Sequence, residues 1–204
     1  MVKNYNFNVF YNCPFDEQYE PTFQAVLFTI YRCGFTLRCA KEFNDTGKVR
    51  IENIVKLIEE SKYGIHDLCR VELDNNLKLP RFNMPLELGI FIGAIKFGTK
   101  NVQKAKEYLI LDNEKFRFKS FISDLGGQDI KSYSTKETAI RVIRDWLSNK
   151  TDMVLPSSKF INDEYLAFQK DLPEICESNK WVKEELTYEE LVSLTVSWIE
   201  LNRA

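Results

Sequence analysis

One carboxylate stands inside an almost wholly apolar stretch, LPRFNMPLELGIFIGA, at residues 79–94. Residues 83–94 have the character of a buried helix, in which Asn83 suits the N-cap and Pro85 suits the first turn. Glu87 then falls near the third or fourth helical position, where the helix dipole and free N–H groups favour an ionised carboxylate. Such a carboxylate can act as a nucleophile, but an acid that merely compensates the dipole would show the same spacing.

Other polar residues follow the predicted strands. The segment 12–16 (Asn-Cys-Pro-Phe-Asp) comes after the first strand, His66 and Asp67 end the third, and Asp112 ends the fourth. Carboxyl ends of parallel strands meet at the ligand-binding edge of an open sheet, so these residues are candidates to surround Glu87. His66, the only histidine, is interpreted as structural or substrate-facing rather than as a general base.

Strand and helix patterns alternate along the first part of the chain. Predicted strands cover residues 7–12, 35–40, 62–68 and 107–112, and predicted helices cover residues 21–34, 49–61, 84–97 and 134–147. This alternation predicts an α/β fold, a three-layer open parallel sheet of about four to five strands with helices on both faces. Two capping boxes, Ser134 with Glu137 and Thr187 with Glu190, mark helix starts.

The character of the sequence changes near residue 150, where the strand patterns stop. We therefore predict an α/β domain at residues 1–150 and a C-terminal helical extension at 151–204, with helices at about 158–171 and 187–202. This extension either packs on the domain or serves assembly. Its last helix has apolar residues on more than one face, which predicts a homo-oligomer or a complex with a partner protein.

Composition excludes several classes of protein. The chain has 204 residues, 44% of them hydrophobic and 28% charged, and a net charge of −2. No basic surplus is present to neutralise nucleic acid or an anionic membrane, and no apolar run approaches the roughly 20 residues of a membrane span. The five scattered cysteines without a C-x-x-C pair, and the absence of a signal sequence, indicate a reduced cytoplasmic protein.

Familiar cofactor and catalytic motifs are also missing from the sequence. There is no G-x-G-x-x-G, no phosphate-binding G-x-x-x-x-G-K-[ST] and no G-x-S-x-G. A single histidine excludes metal centres built on several histidines. We therefore expect neither a cofactor nor a metal.

Four segments occur in an order that resembles a known family: NVFYNCPFD (8–16), GFTLRCA (34–40), IHDL (65–68) and NMPLELGIFIGA (83–94). Together they are similar to the nucleoside 2-deoxyribosyltransferase-like superfamily, which is related to enzymatic Toll/interleukin-receptor (TIR)-like domains. The resemblance covers about residues 7–112. It departs from the family pattern in Cys13, where a small residue is usual, and in the long spacer between Asp67 and Glu87.

The resemblance implies roles for individual residues. Glu87 matches the family's catalytic glutamate, which attacks the anomeric carbon of a nucleoside, and Asp67 matches the aspartate that orients the substrate. The loop that contains Cys13 matches the one that lines the base or sugar pocket. The predicted substrate-binding residues are Asn12, Pro14, Phe15, Asp16, Arg81 and Asn83.

The sequence thus predicts an enzyme that cleaves or transfers at the N-glycosidic bond of a nucleoside or nucleotide, with NAD and deoxynucleosides both open as substrates. Arg50, Arg70 and Arg81 favour phosphorylated substrates. The superfamily includes bacterial immune enzymes that hydrolyse NAD, so an antiviral effector role is implied. Two alternatives stay open: a non-catalytic nucleotide-binding or sensor module that acts through oligomerisation, and a flavodoxin-like flavin-binding protein.

Overall fold

The computed structural model describes residues 4–43, 49–70, 81–128 and 130–202, apart from the side chain of Phe118. The strands are β1 (Asn8–Asn12), β2 (Thr36–Arg38), β3 (Tyr63–Asp67), β4 (Glu107–Asp112) and β5 (Lys131–Ser132). The helices are α1 (Glu20–Arg32), α2 (Arg50–Glu59), α3 (Asn83–Phe97), α4 (Asn101–Lys104), α5 (Lys136–Ser148), α6 (Ser158–Ser178) and α7 (Tyr188–Leu201).

The five strands form one parallel sheet in the order β2-β1-β3-β4-β5. The predicted α/β class, an open parallel sheet flanked by helices, is confirmed. The strands and helices predicted before residue 148 are present, with ends that differ by at most two residues. The short elements β5 and α4 were not predicted, because two to four residues carry no readable periodicity.

The chain forms two compact units that interleave in sequence. The first comprises residues 1–20 and 35–134, and the second comprises residues 21–34 and 135–204. The sheet, α2, α3 and α4 belong to the first unit, whereas α5, α6, α7 and nearly all of α1 belong to the second. The predicted division near residue 150 stays a prediction of domain organisation.

In the first unit, α2 and α3 pack on the sheet face that carries Phe10. Phe91 of α3 and Ile54 of α2 join Phe10 in one core cluster, and the rings of Phe10 and Phe91 stack with centroids 6.5 Å apart. A second cluster joins α3 to Ile110 of β4 through Leu88. Because α3 is held by both clusters, its first turns are positioned against β1 and β4.

In the second unit, aromatic side chains form the core. Phe28 of α1 lies with ring centroids 5.6 Å from Phe168 and 5.8 Å from Trp198. The Trp198 indole donates a hydrogen bond of 3.0 Å to Asp171, so its polar atom is satisfied as the ring is buried. The predicted assembly through residues 187–202 stays a prediction, but Trp198 is already covered by this unit's own residues.

The helix ends correct and confirm details of the sequence analysis. The N-cap of α5 is Thr135, paired with Thr138, so the predicted box of Ser134 with Glu137 is wrong by one residue. The box of Thr187 with Glu190 at α7 is confirmed. Helix α6 continues through Pro173 to Ser178, past its predicted end. In the described part of the chain, no helix has the length and apolar character needed to cross a membrane.

Gly64 of β3 gives a stability prediction. A Cβ at this position would stand 2.7 Å from Nε2 of His66 and 2.8 Å from the ring of Phe91, so the tightly packed core would have to shift. We expect Gly64→Ala to lower the free energy of unfolding by about 1–3 kcal/mol in urea titrations. As the control, a Cβ at Gly89 in α3 meets no described atom within 4 Å beyond its chain neighbours and the nearby backbone of its own helix, so Gly89→Ala should stabilise the helix by up to about 1 kcal/mol. Equal stability of Gly64→Ala and wild type would contradict the packing described here.

Candidate active site

A pocket of about 300 Å³ opens in the first unit where β1 ends and α3 begins. It is lined by the loop 12–16, by Arg50 of α2, and by Arg81, Asn83, Met84 and Glu87. With the strand order β2-β1-β3, the chain reverses its direction of winding between β1 and β3. Ligands of open α/β sheets bind outside the carboxyl ends of the strands at such a point.

The pocket brings together seven of the eight predicted site residues. They are Asn12, Pro14, Phe15, Asp16, Arg81, Asn83 and Glu87, and only Asp67 is missing from its lining. Arg50, one of the three arginines noted in the sequence, lines it as well. Residues 71–80, within the long spacer before Glu87, lie outside the described residues.

The Glu87 carboxyl group has a pKa close to neutral pH. Its side chain is only 8% exposed, and burial raises its pKa to about 7, an effect partly offset by the positive charge of Arg50. Among the described residues, no hydrogen bond to the carboxylate is present to stabilise its charge. A carboxyl that is half ionised near pH 7 can serve as a nucleophile or exchange protons.

This finding corrects the expected electrostatics of α3. The helix begins at Asn83, and the N-cap is Phe82 rather than Asn83, without a side-chain hydrogen bond. Glu87 is therefore the fifth helical residue, beyond the first turn in which the helix dipole acts strongly. Pro85 lies in that first turn, where its missing N–H leaves no bond unmade. Desolvation therefore outweighs the dipole, and the charged form is disfavoured instead of favoured.

Asp67 lies on the other side of β3 from the pocket. Side chains alternate along a strand, so Asp67 shares a face with Ile65, whereas His66 faces α3. The Asp67 carboxylate is fully buried and accepts hydrogen bonds from Tyr19 at 2.5 Å and Tyr133 at 2.6 Å, and from the Cys69 backbone N–H at 3.0 Å. Burial raises its pKa, whereas these donors lower it. Its contacts are those of a residue that ties the loops after β1, β3 and β5 together.

Asn12 is the last residue of β1 and contributes a polar side chain to the lining of the pocket. Its amide nitrogen donates a hydrogen bond of 2.8 Å to the Met84 carbonyl and contacts Nδ1 of His66 at 3.1 Å. His66 itself is fully buried and is absent from the pocket lining. Sequence reasoning did not identify Met84, because a contact through a backbone carbonyl leaves no mark on residue type.

Two arginines form ion pairs with Asp16 at the rim of the pocket. Asp16 forms ion pairs with Arg70 at 3.3 Å and Arg81 at 3.5 Å, and all three side chains are at least one-quarter exposed. Together with Arg50, the region carries three positive charges against Asp16 and a partly neutral Glu87. The pocket mouth is therefore suited to an anionic group such as a phosphate.

Other groups are less suited to chemistry. Burial raises the pKa of the Cys13 thiol well above its ordinary value, so the thiolate nucleophile is not formed there near neutral pH. Within the described ranges, no group of three or more His, Cys, Asp or Glu side chains could hold a metal ion. Glu87 is thus the residue of this pocket best placed to react.

Comparison with protein-family models, curated proteins and solved structures found no match to this chain. Membership of the nucleoside 2-deoxyribosyltransferase-like superfamily stays a prediction from the four sequence segments. The chemistry that this site could perform is therefore inferred from the arrangement of its residues.

The raised pKa of Glu87 generates a prediction on stability. Between its ordinary value of 4.5 and about 7, the folded protein binds a proton that the unfolded chain does not, so wild-type stability from this group is lost as pH rises. Glu87→Gln cannot titrate. Relative to wild type, its free energy of unfolding should rise by up to about 3 kcal/mol from pH 4.5 to pH 8.5.

Urea titrations of both proteins across this pH range provide the measurement, because groups common to both cancel in the difference. Glu174→Gln, which removes an exposed carboxylate from α6, is the matched control. A Glu87→Gln difference that is the same at pH 4.5 and pH 8.5 would show that Glu87 is not desolvated in the folded protein.

Proposed function

We propose that this protein is an enzyme that cleaves or transfers at the N-glycosidic bond of a nucleoside or nucleotide, with Glu87 as the nucleophile. One observation carries the proposal. A buried carboxylate with a pKa near 7 lies in a pocket at the carboxyl edge of the sheet, among Asn12, Asp16, Arg50 and Arg81. The similarity of the sequence segments around Asn12 and Glu87 to the deoxyribosyltransferase-like superfamily supports the same reaction.

In the first step, the ionised carboxylate attacks the anomeric carbon of the sugar. The carbon–nitrogen bond breaks, its electron pair leaves with the base, and an ester bond forms between Glu87 and the sugar. A neutral base takes up a proton from solvent as it leaves, whereas a nicotinamidium group leaves without one. The transition state carries positive charge on the sugar, which a poorly solvated carboxylate stabilises strongly.

In the second step, water, a hydroxyl of an acceptor nucleoside or a ring nitrogen of an acceptor base attacks the same carbon. The ester bond breaks, Glu87 is released as a carboxylate, and the proton of the attacking group passes to solvent. Attack by water makes the enzyme a hydrolase, and attack by a second nucleoside or base makes it a transferase.

Phosphorylated substrates fit the charge of the pocket better than free nucleosides do. Arg50 and Arg81 both line it together with Glu87, so a ligand that reaches the carboxylate also comes close to both guanidinium groups. Nucleoside phosphates and NAD offer the oxygens that such groups bind. A place among NAD-hydrolysing immune enzymes of bacteria is consistent with this preference and follows from the family resemblance alone.

The mechanism predicts the activity of Glu87→Gln. Incubation of the wild type with NAD, with 2′-deoxynucleosides and with their 5′-monophosphates should release free base in at least one case, as measured by chromatography. Glu87→Gln should lower that rate by about a thousandfold or more, on the order of 4 kcal/mol in barrier, because an amide is a poor nucleophile. Glu174→Gln should retain the wild-type rate. Binding of these compounds without release of base by the wild type would point instead to a nucleotide sensor.

The dependence of the rate on pH separates two roles of Glu87. A nucleophile must be ionised, so kcat/KM should rise with pH and level off above a pKa of about 7. A general acid would give the opposite limb, with activity that falls above pH 7. The second outcome would assign Glu87 to protonation of the leaving base and would overturn the covalent step.

The two arginines should affect phosphorylated substrates selectively. We expect Arg50→Gln and Arg81→Gln each to raise KM for a nucleoside 5′-monophosphate by about 10-fold to 100-fold, since a hydrogen bond to a charged group contributes about 1.5–3 kcal/mol. KM for the unphosphorylated nucleoside should change much less. Lys159→Gln, which removes an exposed charge from α6, is the control. Equal effects on both substrates would exclude a phosphate site at these residues.

A further inference from the structure

Both hydrogens of the Asn12 side-chain amide are taken up inside the protein. One is donated to the Met84 carbonyl at 2.8 Å, and the nitrogen lies 3.1 Å from Nδ1 of His66. A carbonyl oxygen can only accept, so the amide nitrogen must be the atom that faces Met84. The Met84 carbonyl directs the amide nitrogen toward α3, and the second contact, to His66, defines the plane of the amide and so the direction of its oxygen.

This orientation determines the proton position on His66. The Asn12 nitrogen has no lone pair to offer, so Nδ1 of His66 must accept, and the ring proton must lie on Nε2. Nε2 is sealed from solvent and has no hydrogen-bond partner among the described residues. The ring is surrounded by Phe10, Phe91 and Tyr108. Burial in this apolar setting lowers the pKa of His66 to about 3 and keeps the ring neutral.

The Asn12 carbonyl oxygen is left for the pocket. Asn12 lines the same pocket as Glu87, and no described residue donates a hydrogen bond to its Oδ1. Oδ1 of Asn12 is not among the solvent-sealed side-chain atoms that lack a hydrogen-bond partner in the described part of the chain. Because it has no partner, it must therefore retain some exposure to solvent. Oδ1 is therefore the atom of this amide that remains available as an acceptor for a ligand in the pocket.

We propose that His66 is a positioning residue that holds Asn12 with its carbonyl oxygen toward the ligand, so that the pocket selects a hydrogen-bond donor at this point. The ligand group is a sugar hydroxyl or an exocyclic amine. A phosphate or carbonyl oxygen is rejected there because two acceptors repel, and it is bound instead by Arg50 and Arg81. The choice of nucleotide ligands rests on the function proposed above, whereas the fixed amide does not.

A purely structural role for His66 makes different predictions. If the ring only fills space beneath Phe91, an apolar side chain of similar size serves as well. His66→Leu keeps the packing but removes one of the two acceptors, so the amide is held by the Met84 carbonyl alone and its plane can rotate about that hydrogen bond. His66→Asn supplies an amide oxygen close to the position of Nδ1 and should restore the orientation. The two variants thus separate the acceptor from the bulk of the ring.

The first measurement is ¹⁵N NMR of the full-length protein. His66 is the only histidine, so its two ring nitrogens are identified without ambiguity. We expect a protonated Nε2 and an unprotonated Nδ1, unchanged from pH 5 to pH 8. A proton on Nδ1, or titration to the charged ring within this range, overturns the proposal. No turnover is involved, so this result is independent of the role of Glu87.

The second measurement is calorimetric binding to Glu87→Gln, which keeps the shape of the pocket without turnover. The probes are adenosine 5′-monophosphate, its 2′-deoxy and 3′-deoxy analogues, and inosine 5′-monophosphate, each of the last three lacking one donor. At least one should bind about tenfold more weakly than the parent. This discrimination should persist with His66→Asn added and disappear with His66→Leu.

Equal affinity for all four probes, absence of binding, or discrimination unchanged by His66→Leu would each overturn the assignment. Failure of the proposed reaction gives a different pattern. In that case wild-type protein releases no base, whereas the NMR result and the discrimination between probes remain.

Discussion

The alternation of side chains at the ends of β1 and β3 decides which residues can meet in this protein. Asn12 and His66 are partners in the parallel register and face α3, whereas Tyr11 and Asp67, one position away on their strands, face the other side. A shift of one residue in either strand would exchange these sets and empty the pocket of its amide. The fixed register of two five-residue strands is therefore the constraint on which the site depends.

Burial of Glu87 works against stability and in favour of reactivity. An acid placed on an apolar helix, without a described hydrogen-bond donor, is costly to ionise, and Arg50 offsets only part of that cost. In the proposed reaction, the same lack of solvation would let the carboxylate stabilise positive charge on the sugar more strongly. His66 shows a similar conflict, because its unpartnered Nε2 costs stability while its Nδ1 orients Asn12. Polar groups that reduce stability are typical of sites selected for function.

Much of this arrangement could be predicted from the sequence because the decisive signals are local. Strand and helix periodicity predicted the fold class. The rule that ligands bind at the carboxyl edge of a parallel sheet, together with the family resemblance, selected eight site residues, of which seven line one pocket. Asp67 is the exception, because side chains alternate along β3 and its carboxylate bonds Tyr19 and Tyr133 away from this lining; its predicted role stays a prediction. The charge state of Glu87 was also mispredicted, because desolvation depends on packing in three dimensions. The hydrogen bond from Asn12 to the Met84 carbonyl could not be predicted, because every residue carries a backbone carbonyl.

The charge balance around Glu87 bears on which substrates the proposed reaction favours. A phosphate bound by Arg50 weakens the positive field that lowers the pKa of Glu87, and so disfavours the ionised nucleophile. A cationic leaving group such as nicotinamidium acts in the opposite direction, since positive charge beside the carboxylate lowers its pKa. NAD combines both features, and its positive ring lies at the carbon that Glu87 would attack, closer than its phosphates. A nucleoside phosphate with an uncharged base brings only the unfavourable negative charge of its phosphate. On electrostatic grounds, therefore, Glu87 would be more fully ionised beside a substrate with a nicotinamidium group than beside a nucleotide with an uncharged base.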